Sequence, residues 1–156
     1  MPTFLLIRHG IAEDPRPGLA DRDRALTDRG RAHARAAMAA LVARGLRPDR
    51  GCCSPYRRAV ETLACLQEAA GPLPVQVAPA LVPHHPPAAA AAWLLALAAE
   101  AEPEAVVACV GHEPLLGDLV AGLTGRTVDM SRAACAVLRW DGRWSLDGHH
   151  PGEERP

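Results

Sequence analysis

Short apolar runs alternate with helical patterns along most of this chain. Thr3 to Arg8 is almost unbroken apolar (Phe4, Leu5, Leu6, Ile7), the pattern of a strand buried on both faces. After a loop rich in Pro, Gly and Asp (14 to 23), the spacing of Ala34, Met38, Leu41 and Val42 predicts a helix over about 28 to 44. Thr27 or Asp28 is its N-cap, and Gly45 and Pro48 stop it. A strand is expected at about 50 to 53 and a helix from Pro55 to about Ala69, ended by Gly71. Val75 to Ala78 reads as a further strand, followed by a proline-rich loop from Pro79 to Pro87. A helix over Ala88 to Ala101, a strand over Ala105 to Val110 and a helix over Pro114 to Leu123 come next. Ala133 to Trp140 and Arg143 to Leu146, joined at Asp141 and Gly142, predict a terminal hairpin. The segment 149–156, with His149 and His150, reads as a flexible tail after a single domain over 1–148. This alternation is the signature of an α/β domain with a mostly parallel central sheet and helices on both faces.

Composition removes several functions. The chain has 17 basic residues, and every one is arginine, because lysine is absent. A Walker A loop, a kinase-type ATP lysine and Schiff-base chemistry are thereby excluded. A formal net charge of −1 with dispersed arginines lacks the footprint of a nucleic-acid binder. The longest apolar stretch, Ala88 to Ala99, falls well short of the roughly 20 residues of a membrane span. With no secretory leader pattern and five cysteines without a zinc-type C-x-x-C pair, the expectation is a cytoplasmic protein with reduced thiols. Aromatic residues are only 3%, so the core is expected to be built from Ala, Leu and Val, with Trp93, Trp140 and Trp144 the only very large fillers.

In open α/β sheets, ligands bind beyond the carboxyl ends of the strands. The first expected strand ends in Arg8, His9 and Gly10, the second in Ser54 to Arg58, and the one at 105 to 110 in Gly111, His112 and Glu113. Two imidazoles and at least one guanidinium on one rim suit a tetrahedral dianion, since arginine forks match phosphate oxygens. One imidazole facing phosphorus can act as nucleophile and split the displacement into two steps through a phosphohistidine. His9 is the candidate, held neutral by the surrounding cations, with Arg8, Arg58 and His112 stabilising the equatorial oxygens. Gly10 and Ser54 join these three as candidate phosphate-binding positions.

These residues carry a resemblance. Arg8-His9-Gly10, Ser54-Pro55 with Arg58-Ala59 and Thr62, and Gly111-His112 look like the histidine phosphatase superfamily, whose fold is phosphoglycerate mutase-like. The length, and Leu26-Thr27 followed by Gly30, resemble its small bacterial phosphohistidine phosphatase (SixA-like) branch. The resemblance implies a phosphatase without metal or other cofactor, acting through a phosphohistidine on His9 upon a phosphorylated substrate such as a histidine-phosphorylated signalling protein. It also implies that Arg58, rather than Arg57, is the pocket arginine; one helical step turns a side chain by about 100°. Glu113 stands where the acid-phosphatase branch has an aspartate, and is the candidate general acid, with Glu13 an alternative.

Other readings compete at particular residues. Arg24, His84 and His85 are candidate rim residues, although the histidines lie in a proline-rich loop that exposure alone explains. Arg22, Arg29, Arg31, Arg35 and Arg57 read as solvated faces. Cys52 and Arg58 have the C-x5-R spacing of cysteine-dependent phosphatases, but Pro55 lacks an N–H that such a loop must present. A metal site lacks a convincing third ligand. A phosphomonoesterase of the same superfamily and a non-catalytic module that binds phosphate or phosphohistidine complete the alternatives.

Overall fold

The computed structural model describes residues 1–152. Six strands, β1 (Thr3–Arg8), β2 (Arg50–Cys53), β3 (Val75–Val77), β4 (Val106–Gly111), β5 (Cys135–Trp140) and β6 (Trp144–His150), form one sheet in the order β3-β2-β4-β1-β5-β6. The first four strands in this order pair in parallel, whereas β5 runs antiparallel to β1 and to β6. Four helices complete the fold: α1 (Asp28–Ala43), α2 (Arg57–Ala70), α3 (Pro87–Glu100) and α4 (Leu115–Thr124).

The period of two along β1 explains its central place. Leu5 and Ile7 pack in one cluster with Met38 and Leu41 of α1 and Leu63 and Leu66 of α2. Phe4 and Leu6 face the other way, toward Leu94 and Leu97 of α3 and Leu116 and Leu119 of α4. Each apolar run therefore serves two helical layers at once, which is why it reads as continuous and not as alternating. None of the helices among the described residues is long and apolar enough to cross a membrane.

Several expected boundaries move. Pro55 precedes α2, for Tyr56 is its N-cap and Arg57 its first residue. Strand β6 continues to His150, so His149 and His150 belong to the hairpin rather than to a tail. His149 Nε2 donates to the Asp129 carbonyl at 2.8 Å, and a bulge at Val137/Leu138 adjusts the pairing of β5 with β6. Of the expected tail, residues 153–156 lie outside the described residues. The tryptophans are only partly buried and pack on the core's edge, with Trp144 edge-on to Phe4 at 5.4 Å; the largest fully buried side chains are Phe4, Met38, Ile7 and leucines.

Candidate active site

The site follows from strand register. Arg8 of β1 lies opposite Gly111 of β4, so His9 and His112, one residue further, leave adjacent parallel strands at the same level. Their ring centroids are 5.1 Å apart. The next strand, β2, brings Ser54 beside them, its N–H bonded to the Val110 carbonyl at 3.0 Å, and its exit leads into α2 with Arg58 in the first turn. A pocket of about 330 Å³ results, lined by Arg8, His9, Arg24, Arg58, His84, His112 and Glu113, with Asp21 and Arg132.

The hydrogen bonds of His9 define its tautomer. Nδ1 lies 2.7 Å from the Gly10 carbonyl, an acceptor, and so carries the proton. Nε2 is left as a lone pair, and Arg58 Nε donates toward it over 3.3 Å. Burial lowers the imidazole to about 4; the Gly10 carbonyl opposes this, and Arg58, Arg8 and Arg24 add to the lowering. Neutrality therefore comes first from burial, with the cations expected to cause it a secondary influence.

His112 is held from behind. Its Nε2 is 2.8 Å from Ser54 Oγ, and Tyr56 packs edge-on against its ring at 5.1 Å. Burial, then the neighbouring His9 and Arg58, push it down to about 3. His112 Nδ1 and Arg8 Nε are buried with no hydrogen-bond partner among the described residues, a costly state that an oxyanion relieves. Glu113 is half-buried; burial raises its carboxyl, while one oxygen accepts from the Gly117 N–H at 2.6 Å.

Arg58 is buried and held by an element that the sequence showed only as loop. Asp21, in a short 3-10 turn at Asp21–Asp23, accepts from Arg58 through its backbone carbonyl at 2.8 Å and its carboxylate at 3.2 Å. Its other oxygen accepts from Arg24 Nε at 2.8 Å. Burial would raise Asp21, but these two arginines outweigh it and hold the carboxyl below its usual range. The Arg58 guanidinium also lies 5.0 Å from the Tyr56 ring centre. Asp21, Tyr56 and Arg132 were missed by sequence reasoning; an Asp three residues before Arg24 was the available signal for the first. Arg57, by contrast, pairs with Glu61 at 3.6 Å on the outer face of α2.

Two expected phosphate contacts have other work. Gly10 is buried against α1, its N–H donated to Thr62 Oγ1 at 3.0 Å, and Thr62 in turn bonds the Arg58 carbonyl at 2.8 Å. Ser54 is fully buried behind His112 and is not on the pocket wall. Of the two loop histidines, His84, at a left-handed φ of 64°, lines the pocket. His85 lies in a neighbouring cleft with Pro114 and Asp118. Glu13 faces outward to bond the Ala25 N–H and Arg16. Arg31, expected on a solvated face, is instead partly buried against Glu61. Cys52 has no exposed surface, so the cysteine reading finds no accessible nucleophile.

A sequence profile of the histidine phosphatase superfamily (branch 1) matches residues 4–83. The chain belongs to the histidine phosphatase superfamily. It is 34% identical over 151 residues to an uncharacterized protein of Picosynechococcus, covering 94% of this chain and 89% of that one. Among solved structures it resembles the protein histidine phosphatase SixA complexed with tungstate, with a TM-score of 0.86 and 28% identity over 96% of this chain and 97% of that chain. It also resembles the SixA protein of Agrobacterium tumefaciens, with a TM-score of 0.80 and 25% identity over 94% and 96% of the two chains. The likeness to SixA spans nearly the whole fold, and the phosphoglycerate mutase-like topology and SixA-like branch both follow from it. As a histidine phosphatase, the protein is a phosphoric ester or amide hydrolase, and the pocket is its candidate catalytic centre.

Proposed function

We propose that the protein removes a phosphoryl group from phosphohistidine carried by another protein, through a covalent intermediate on His9 Nε2. The observation that carries this reading is the His9 tautomer: Nδ1–H is committed to the Gly10 carbonyl, and the Nε2 lone pair faces a cationic pocket. In the first step Nε2 attacks phosphorus and the bond from phosphorus to the substrate nitrogen breaks. Arg58 exchanges its weak bond to Nε2 for the phosphoryl oxygens, with Arg8 and the unpartnered His112 Nδ1 receiving the remaining charge. Water then attacks the phosphorylated His9, releasing inorganic phosphate and restoring the lone pair.

A protein substrate needs an open approach. The four long helices all pack on the faces of the sheet, and the rim carries loops and two short 3-10 turns, at Asp21–Asp23 and Pro79–Leu81. Free cysteines at 52, 53, 65, 109 and 135, all buried, are in keeping with the reducing cytoplasm. A second reading, hydrolysis of a small phosphomonoester, is favoured by Glu113: it lines the pocket, and burial raises its carboxyl toward the protonated form an alkoxide leaving group requires.

The deciding experiment measures phosphate release by wild type and His9→Ala from a phosphohistidine protein, free phosphohistidine and simple phosphomonoesters, with chelator present. Release confined to the phosphohistidine substrates and lost in His9→Ala supports the proposal. Release from monoesters alone transfers the mechanism to the second reading, and release insensitive to His9→Ala overturns both.

A further inference from the structure

The run Val82-Pro83-His84-His85 places an imidazole where a tight turn asks for glycine. The His85 N–H donates to the Val82 carbonyl at 3.3 Å, and His84, third of the four residues, has a φ of 64°. Proline at the second position and a positive φ at the third define a type II turn, whose third residue is ordinarily glycine or asparagine because a larger side chain crowds the backbone there. Non-glycine residues held in this conformation cluster at active sites and ligand clamps.

The turn is fixed at both ends, yet the His84 ring takes no part in fixing it. Leu81, just before the turn, is buried in the same core cluster as Cys109 of β4. A methyl group on Gly111 would come within 3.3 Å of the Leu81 carbonyl oxygen, so the chain runs close against the end of β4 beside His112. On the other side Pro86 leads into α3, which begins at Pro87. The ring itself is exposed and makes no hydrogen bond, ion pair or ring contact among the described residues. It borders the catalytic pocket and also the neighbouring cleft of about 220 Å³ where His85 lies.

Its place in the pocket limits what it can touch. In the proposed reaction Arg8, His9, Arg58 and His112 take the phosphoryl group, and an in-line displacement sends the leaving atom away from His9 Nε2, toward the loops of the mouth. Apart from His9 and His112, the pocket lining is charged except at Ala12, Pro83 and His84. His84 therefore supplies the one aromatic face of the mouth, and aromatic rings pack on one another with a preference beyond the area they bury.

We propose that His84 is a specificity-determining residue: its imidazole packs against the planar ring of the leaving group and favours an imidazole or aryl substrate over an alkyl one. This inference rests on the phosphatase reading for its substrate and adds a contact which that reading does not use. The two sources of such a ring are the phosphohistidine of a protein and a small aryl phosphate.

Three measurements test it. In the first, phenylphosphonate and methylphosphonate, which carry no hydrolysable ester or amide bond to phosphorus, are titrated calorimetrically into wild type, His84→Gly and His84→Asn. Wild type is expected to bind the phenyl compound at least fivefold more tightly than the methyl one, and this ratio should fall below twofold in both variants, which suit the turn but lack the ring. Equal binding of the two compounds by wild type, or a preference kept by either variant, overturns the proposal. No turnover is needed, so this arm stands apart from failure of the phosphatase reading. The second measurement is the Tm of His84→Gly, expected to equal or exceed that of wild type because glycine relieves the positive φ. A fall of more than about 3 °C overturns the proposal by showing that the ring serves the turn. The third separates the sources. At least a fivefold rise in KM in His84→Gly for a phosphohistidine peptide assigns the ring to a protein substrate, and the same rise for phenyl phosphate assigns it to a small molecule; KM unchanged for both overturns the role.

Discussion

Arg58 donates its Nε to the Nε2 of His9 across 3.3 Å, so the cation and the nucleophile are held in contact before substrate arrives. The contact is possible because Arg58 stands in the first turn of α2 while His9 leaves β1, and Thr62 ties the two elements by bonding the Gly10 N–H and the Arg58 carbonyl together. It also makes Nε2 an acceptor, which sets the chemistry of the site.

Replacement of Arg58 is expected to be far more damaging than replacement of its neighbour. Arg58→Ala should lower kcat/KM by about a hundredfold or more, in the range seen when one donor to a developing oxyanion is removed. Arg58→Lys should recover little, since an ammonium lacks the planar fork. Arg57→Ala, whose guanidinium only pairs with Glu61, should stay within about twofold. Steady-state kinetics on one substrate checks all three.

The acid limb of the pH profile should be displaced. An ordinary imidazole protonates near 6.5, but His9 is lowered to about 4, so the nucleophile stays neutral and kcat/KM on an acid-stable phosphomonoester should hold down to about pH 4 to 5. Stability follows the opposite course. His9 and His112, lowered to about 4 and about 3, bind fewer protons in the folded chain than in the unfolded one as pH falls below 6.5. Above 6.5 no proton-linked penalty arises; below it stability declines, down to about pH 4 through His9 and on to about pH 3 through His112. Denaturant midpoints at pH 7.5 and 5 measure it, and His112→Gln should flatten the decline.

Asp21 competes with the anion the pocket is built for. Its carboxylate lies on the same guanidinium fork, at 3.2 Å from Arg58, and on Arg24 at 2.8 Å. Asp21→Asn keeps the backbone carbonyl bond but removes the negative charge. The expected outcome is tighter binding of inorganic phosphate or tungstate by about threefold to tenfold, the scale of one partly screened charge interaction. Weaker binding would show that Asp21 mainly positions Arg58. Calorimetric titration distinguishes the two.

Gly30 is a packing requirement behind the site. A methyl group there would fall 2.0 Å from the Ile11 carbonyl oxygen, and this same carbonyl accepts the Thr27 N–H at 3.0 Å. Neither backbone can yield without opening the turn between β1 and α1 on which His9 and Gly10 rest. Gly30→Ala should therefore destabilise the chain by about 2 kcal/mol or more, despite alanine's better helix propensity. A fall in Tm of roughly 5 °C or more is the measurable form.

Much of this protein was legible in its sequence because local patterns coincide with strand ends. Apolar runs at 3 to 8 and 105 to 110 mark buried strands, and the residues following them, His9 and His112, carry chemistry because a parallel sheet exposes its ligand-binding edge there. Thr27 as a cap and Gly45 after α1 are equally local, the cap accepting from the Gly30 N–H at 2.8 Å. Tertiary structure alone decided what meets these residues from far along the chain. Asp21 reaches Arg58 from a loop without periodicity, Arg132 arrives from the approach to β5, and Ser54 turns to brace His112 instead of lining the pocket. The same holds for His149 and His150, which extend β6 because β5 offers them a ladder, although their own composition reads as tail. Side-chain type and spacing report what one segment does by itself. Burial, tautomer and the partner of each charge depend on neighbours that only the closed sheet brings within a few ångströms.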